Sequence, residues 1–336
     1  MQYLIAHVSV DFGENYDSHL SSVVSVSYDD SVDGIGARCT ITCPLNAKIE
    51  RNGELLSPQP VRTIFNAGDK IRVQAWYEDY DKRTVFEGYI YQIKEGTPAE
   101  IVCEDEVYLL RSGRLNKSWK SAVTLKEVLQ YICSSRNVEV SDDVADLTFD
   151  LGYIIDDKTP LYELQRIKND TLLLLTFRKK KLVATAISTT RGDTVKLNSG
   201  VNVIGCSIQQ PNDVWKEFSV TVKFTDPKTK KVKSFTVGDP DGHVRVAHLE
   251  NMNEESAKEF VNTNLLDNLR TGMYEGTLET LLYPIVNTFD LVDYYDRSFQ
   301  SLNGTYTVKR VNLRIDSNGC RQTLTVAQLV NDNAGQ

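Results

Sequence analysis

The sequence predicts a mainly β fold with an α+β insertion, in which two β domains flank a small mixed domain. Three observations predict it. Short runs of alternating apolar and polar residues fill the first third of the chain and return in the last third. Residues that favour turns (Gly, Pro, Asn and Asp) separate these runs at the spacing of a barrel or a sandwich. Helical spacing is confined to the middle and to one later segment.

The first β domain is expected over residues 1–115. "YLIAHVSV", "SVVSVSYDD", "GARCTITCPL", "GDKIRVQAWYED", "TVFEGYIYQI" and "AEIVCEDEVYLL" all alternate. The last two form one hairpin between Thr84 and Arg111, turned by "EGTP". In its second arm Ile101, Cys103 and Asp105 alternate with Val102, Glu104 and Glu106. Period 2 then puts Glu104 and Glu106 on one face and Asp105 on the other. A general acid and base must converge on one substrate. These three acids are therefore expected to face solvent or an interface and to do no chemistry.

A small α+β domain follows over 116–199. Thr124 with Glu127 forms a capping box ahead of Leu125, Val128, Leu129 and Ile132 at helical spacing. Thr159 and Pro160 are a cap and a proline at the first helical position, followed by Leu161, Leu164 and Ile167. Core-facing helices account for both stripes. "LLLLTFRKKKLVATAIS" reads as a hairpin with a basic tip at Arg178 to Lys181.

The second β domain, with one inserted helix, is expected over 200–330. Asn253 caps "EESAKEFVNTNLLDNLRTG", and Gly272 is the expected stop. The closing segments echo the first domain. An Asp leads into a strand in each (Asp69, Asp290), and a Gly opens the next strand (Gly88, Gly304). A turn and a closing alternating strand complete each copy, which reads as a structural duplication.

Composition and motifs narrow the function. A net charge of −8 argues against a dedicated nucleic-acid binder, yet an acidic passage lets DNA slide without sticking. The N-terminus lacks a signal-peptide pattern, and "TLLLLTF" is too short to span a bilayer. Cys39 and Cys43 sit four apart on a strand, about 13 Å and too far for a disulfide. All six cysteines read as reduced core residues of a chain folded in a cytoplasm. "GIGARC" lacks the third glycine and the helix of a dinucleotide loop. In "DPDGHVRVAHLE", Asp239, Asp241 and Glu250 occupy calcium-loop positions, but Val244 stands where the loop needs Gly. His243 and His248 are five apart, on opposite faces of a strand. Lys228, Lys230, Lys231 and Lys233 read as a solvated hairpin tip. No catalytic, cofactor-binding or metal-binding residue is assigned, and no enzyme is expected.

"FEGYIYQI…EIVCEDEVYLLRSG", the capped helix after it and "LNGTYTVKRVNLRIDSNGCRQTLTV" together resemble the baseplate hub proteins of tailed phages. These are the late control gene D family and its relatives in contractile injection and type VI secretion systems. The family's acidic residue and leucines correspond to Asp105, Leu109 and Leu110. Its "G-x-Y-x-V-x-x-V" strand corresponds to Gly304, Tyr306, Val308 and Val311. Where the family often has "P-G-D", this chain has Asn287 to Asp290, "NTFD". The resemblance implies a structural homotrimer with two tube-like β-barrel domains per chain. It would join the tail tube proteins to the spike protein in a virion or prophage tail baseplate, assembled in the bacterial cytoplasm. DNA would pass through its lumen without specific binding, and no membrane insertion is implied. The alternative is a tail-associated hydrolase or carbohydrate-active β protein, which molar mass in solution separates from a ring.

Overall fold

Two groups of six strands, built from the alternating runs, carry the architecture. The computed structural model describes residues 5–186, 192–209, 218–226, 229–239, 241–265 and 271–329. The first group is β1 (Ala6–Phe12), β2 (Ser25–Ser31), β3 (Arg38–Cys43), β4 (Lys70–Tyr77), β5 (Arg83–Lys94) and β6 (Ala99–Glu104). Helices α1 (Leu125–Ser134) and α2 (Pro160–Thr171) and the hairpin β7 (Leu174–Arg178) and β8 (Lys181–Thr185) follow. Next come β9 (Thr194–Asn198), β10 (Val203–Cys206), β11 (Phe218–Thr225), β12 (Val232–Gly238), β13 (His243–Leu249) and α3 (Glu254–Phe260). The chain closes with β14 (Thr271–Thr280), β15 (Leu291–Tyr295), β16 (Gly304–Asp316) and β17 (Gly319–Leu329). The mainly β expectation is met. No helix among the described residues is long and apolar enough to cross a membrane.

The duplication appears in the topology. The first group pairs in the order β2-β3-β6-β5-β4-β1, and the second in the order β10-β14-β17-β16-β15-β9. Chain order and spatial order both match, strand for strand. One difference stands out: β1 runs antiparallel to β4, whereas β9 runs parallel to β15.

Hydrogen bonds set the register between the copies. Asn66 donates its N–H to the Asp69 carboxylate at 2.7 Å, and Asn287 does the same to Asp290 at 2.8 Å. Ile90 N–H donates to the Asp69 carbonyl at 2.9 Å, matched by Val308 and Asp290 at 3.0 Å. Ile90 therefore corresponds to Val308, and Gly88 to Tyr306. The expected match of Gly88 with Gly304 is off by two, and Gly88 lies inside its strand rather than at its start. The turns also align Gly68 with Phe289, at φ of +95° and +66°. The unusual "NTFD" thus makes the same turn as "NAGD", with a buried Phe in the conformation that favours glycine.

The two groups are continuous. Gly304 to Tyr294 and Thr307 to Leu291 pair the first part of β16 with β15. A bulge at Lys309 then bends the strand, and Arg310 to Ile315 pair with β2. Leu313, Ile315 and Cys320 thereby enter the apolar core of the first group, beside Val26, Ile41 and Ile101. The second group has its own core around Leu278, Val308, Leu324 and Val326.

The middle domain has a third core, and it is larger than its sequence segment. Val220, Val222 and Phe224 of β11 and Ala247 and Leu249 of β13 pack with Leu125, Val128, Leu129 and Ile132 of α1. β11, β13 and α3, which fall in the segment assigned by sequence to the second β domain, thus pack in this core. Alternation identified the strands but not the sheet they join. The cap at Thr124 and Glu127 forms as expected, as do those at Thr159 and Asn253. The last helix gives way to a wider turn over Val261–Leu265, and β14 already begins at Thr271, one residue before the expected stop. Five of the cysteines are buried and none is disulfide-bonded; Cys206 is exposed, contrary to its assignment to the core.

Gly88 is required by close packing. A Cβ there would stand 2.3 Å from the Glu104 carbonyl oxygen and 2.7 Å from the Phe86 ring. Gly88→Val is expected to cost about 3 kcal/mol or more, or to abolish soluble expression. Urea unfolding measures this, and a wild-type midpoint contradicts it.

Candidate functional site

The three acids of the second hairpin arm are engaged in different ways, and Asp105 and Glu106 line the same cavity. Glu104 closes β6 and is buried. It accepts from Arg38 at 2.9 Å and from Arg111 at 2.5 and 2.7 Å. Arg111 also lies over the Tyr91 ring, 4.5 Å from its centroid. Glu104 is therefore held inside an ion-pair clamp and does not face solvent. Asp105 leaves the strand and starts a 3-10 turn over Glu106–Arg111. Its carboxylate accepts from Val107 N–H at 3.0 Å and from Ala37 N–H at 2.8 Å. Burial pushes its carboxyl up to about 8. The alternation that suggested a continuing strand stops here because this side chain caps the turn.

Glu106 lines a cavity of about 290 Å³ where the two β groups meet. Asp30 and Asp290 line it too, and so do Arg178, Lys179 and Lys180 at the basic hairpin tip. Lys180 pairs with Glu87 at 2.5 Å, so the tip docks on the first β group instead of standing in solvent. Asp290 serves its own turn and also accepts from Asp193 N–H at 3.0 Å.

Asp30 is the member that sequence reasoning missed. It sits on β2, where its other edge pairs with β16, and accepts from the Thr288 hydroxyl at 2.8 Å. Its second oxygen has no hydrogen-bond partner. Burial pushes its carboxyl up to about 6. Two adjacent acids in a strand, "YDDS", were the only visible signal.

These carboxylates hold the chain together, and none forms a nucleophile–base pair. His7 stacks on Trp76, His19 accompanies Asp11 at 2.7 Å, and His248 approaches Glu250 at 3.8 Å. None of these three lines the cavity. The side chain of His243 lies outside the described residues. Among the described residues no cluster of His, Cys, Asp and Glu is arranged to hold a metal. Asp239 instead closes a turn by accepting from Asp241 N–H at 3.0 Å. The lysine run forms the tip of the β11–β12 hairpin, with Lys233 paired to Asp226 at 2.6 Å; Lys228 lies outside the described residues.

Two measurements check this account. Arg111→Ala leaves a buried carboxylate with one partner and is expected to cost about 3 kcal/mol, whereas Arg111→Met with Glu104→Gln costs less. A double variant as unstable as the single one contradicts the clamp. Asp30 titrates at about 6 in the fold, above its ordinary 3.8. The folded chain therefore keeps a proton that the unfolded chain loses. The stabilising contribution is complete at low pH and is lost as pH rises through that window. Asp30→Asn mimics the protonated acid and is expected to gain about 2 kcal/mol relative to wild type between about pH 4 and about pH 8. Thermal unfolding at both pH values tests it, and an unchanged gap assigns the shift elsewhere.

No protein-family model and no curated protein matches the chain. Solved structures do. A tail protein from Neisseria meningitidis MC58 superposes with a TM-score of 0.64 at 13% identity, covering 96% of each chain. A 43 kDa tail protein of prophage MuSo2 from Shewanella oneidensis gives 0.63 at 15% identity, covering 96% of this chain and 97% of that one. The E. coli c3393 protein gives 0.58 at 10% identity, covering 97% of this chain and 77% of that one. It is described as a type VI secretion component with structural similarity to T4 tail proteins gp27 and gp5. The chain shares its fold with phage tail proteins and with this secretion-system component.

Proposed function

We propose that this chain is the structural hub of a tail baseplate, a homotrimeric ring that joins a six-fold tail tube to a three-fold spike. The observation that carries this reading is the junction between β16 and β2. It joins two copies of one six-stranded unit edge to edge. The matching edges at the two ends of that path have no partner among the described residues. Beyond Tyr89, β5 outruns β4, so Gln92 to Lys94 pair only with β6. At the far end, Val203 bridges Ser199, and the rest of β10 pairs with β14. A second copy can therefore bring the segment that follows its β10, at Gln209, against the end of the open part of β5 at Lys94, as β2 adds to β16. Three chains with two units each present six similar units in closed three-fold symmetry. Edge pairing also removes the exposed strand edges that promote aggregation.

The same register names the contacts. Gln209 bridges Glu275 as Asp29 pairs with Arg38, so Gln209 corresponds to Asp29. Asp29 faces Asn312, whose counterpart in the first unit is Lys94. The internal commitments of Glu104 and Asp105 weigh against the hydrolase alternative, and a tail role places the protein in the virion.

The expected mass in light scattering is that of a trimer, at high concentration or with spike protein added, and particle images are expected to show a ring. Lys94→Cys with Gln209→Cys, in a Cys206→Ser background, is expected to give covalent dimers and trimers on oxidation. A strict monomer with no ring beside its tail partners refutes the hub. The pure protein is expected to leave peptidoglycan, glycans and peptides intact. Turnover abolished by a single carboxylate-to-amide change favours the hydrolase.

A further inference from the structure

We propose that the outer edge of β10, with the residues that follow it to Gln209, is a docking site for one extended strand of a different protein. That strand lies antiparallel to β10 and carries apolar side chains two residues apart. The site is the counterpart of the edge that β16 covers inside the chain. The proposal stands on the duplication of the β unit and not on the ring.

The first unit shows what such an edge takes. Val32 N–H donates to the Lys309 carbonyl at 3.0 Å. The alternation of an antiparallel ladder carries the same exchange to Tyr28 opposite Leu313 and to Val26 opposite Ile315. Leu313 and Ile315 thus satisfy outward backbone groups of β2 and place their side chains in the first core. Arg314, between them, points to the other face of the sheet.

The second unit has the same edge, and no strand covers it. Gln209 corresponds to Asp29 and no bulge intervenes, so Ile208 corresponds to Tyr28 and Cys206 to Val26. Ser207 N–H donates to the Thr277 carbonyl at 2.9 Å, and Gln209 and Glu275 exchange bonds at 3.0 and 3.1 Å. These residues face β14, so the backbone groups of Cys206 and Ile208 face outward. Among the described residues nothing pairs with that outer edge beyond Val203, which the Ser199–Gly200 turn occupies. The side chains agree. Val26 is fully buried beside Ile315, whereas Cys206, on the matching face, is exposed. Its assignment to the core fails because the covering strand of the first unit has no equivalent here. Val201 and Ile204, 73% and 51% exposed, extend the apolar margin of the site.

A neighbouring copy of this chain does not reach Cys206. Its matching strand β5 ends at Lys94, which the register sets against Gln209, and the chain then turns back into β6. By contrast, β16 continues to Asp316 and so runs the full length of β2. The occupant that fits is therefore a strand from another protein. Main-chain bonds to Cys206 and Ile208 fix its register, and two apolar residues flanking a polar one supply the fit, as Leu313, Arg314 and Ile315 do. Filling the edge also removes a template for unspecific strand pairing.

The test uses a synthetic peptide of the sequence Arg310–Asp316, the strand that covers the equivalent edge, added to the full chain. The readout is the alkylation rate of Cys206, the exposed cysteine, with mass in solution measured in parallel. The peptide is expected to slow alkylation about fivefold or more at saturation. Methylating its backbone nitrogens at Asn312 and Arg314 leaves the bonds toward β10 intact and is expected to keep the protection. Methylating those at Leu313 and Ile315 keeps both side chains but removes the bonds, and is expected to abolish it. Equal effects of the two methylated peptides, or no protection by any peptide, overturn the proposal. So does a Cys206 that is unreactive in the free monomer. A Cys206 that reacts in the monomer and is shielded in the trimer assigns the edge to a second copy, which overturns the foreign strand while the ring stands. Protection by the peptide in a chain that stays monomeric beside its tail partners supports the site and refutes the ring.

Discussion

The pairing of Arg310–Ile315 with β2 is the contact on which the rest of the fold depends. It turns two separate β units into one sheet and carries Leu313 and Ile315 across the boundary into the first unit's core. Burying two such side chains contributes about 2 kcal/mol each, more than the exposed Arg310–Asp29 ion pair above them. The bulge at Lys309 makes it possible, because it frees one edge of β16 from β15 just where β2 arrives. Asp30 enters the same seam, and its buried carboxyl and the Thr288 hydroxyl tie β2 to the turn that precedes β15.

The acids near this seam show how burial decides the role of a charged group. Glu104 has two guanidinium partners. Asp30 and Asp105 have neutral donors only, and burial raises both carboxyls. A buried acid without a cation is poised for protonation, which is also what a catalytic acid needs. Both line the cavity between the two β groups. Asp105 is spent on the Val107 and Ala37 amides, and Asp30 on Thr288. Burial is the main cause of both shifts.

Local signals in the sequence were legible where the physics is local. The hairpin turned by "EGTP" forms, as do the caps at Thr124, Thr159 and Asn253, because neighbouring residues decide them. The leading residues Asp69 and Asp290 marked the duplication correctly, since each carboxylate organises its own turn. Glycine was the wrong anchor. Gly88 answers a close approach by the Glu104 backbone, whereas its structural counterpart is Tyr306, so identity at Gly304 carried no register. Three features depended on distant partners and left no periodic trace: the junction of β2 with β16, the docking of Lys180 on Glu87, and the destination of β11, β13 and α3.

Divergence between the two units is as informative as their likeness. The turn, the bulge one residue after Ile90 or Val308, and the polar outer rows are kept in both. These are the features that any edge-to-edge contact between units must share. What differs lies off that path: β1 is antiparallel to its neighbour and β9 parallel, and a buried Phe289 stands where the first unit has Gly68. The hairpin tips differ too, since β16 continues to Asp316 while β5 stops at Lys94. The contact within a chain is therefore longer than any contact the same edges can make between chains. A ring built this way has three extended seams and three short ones. In the proposed ring the short seams would be the weaker contacts, and three is also the symmetry of the spike proposed for it.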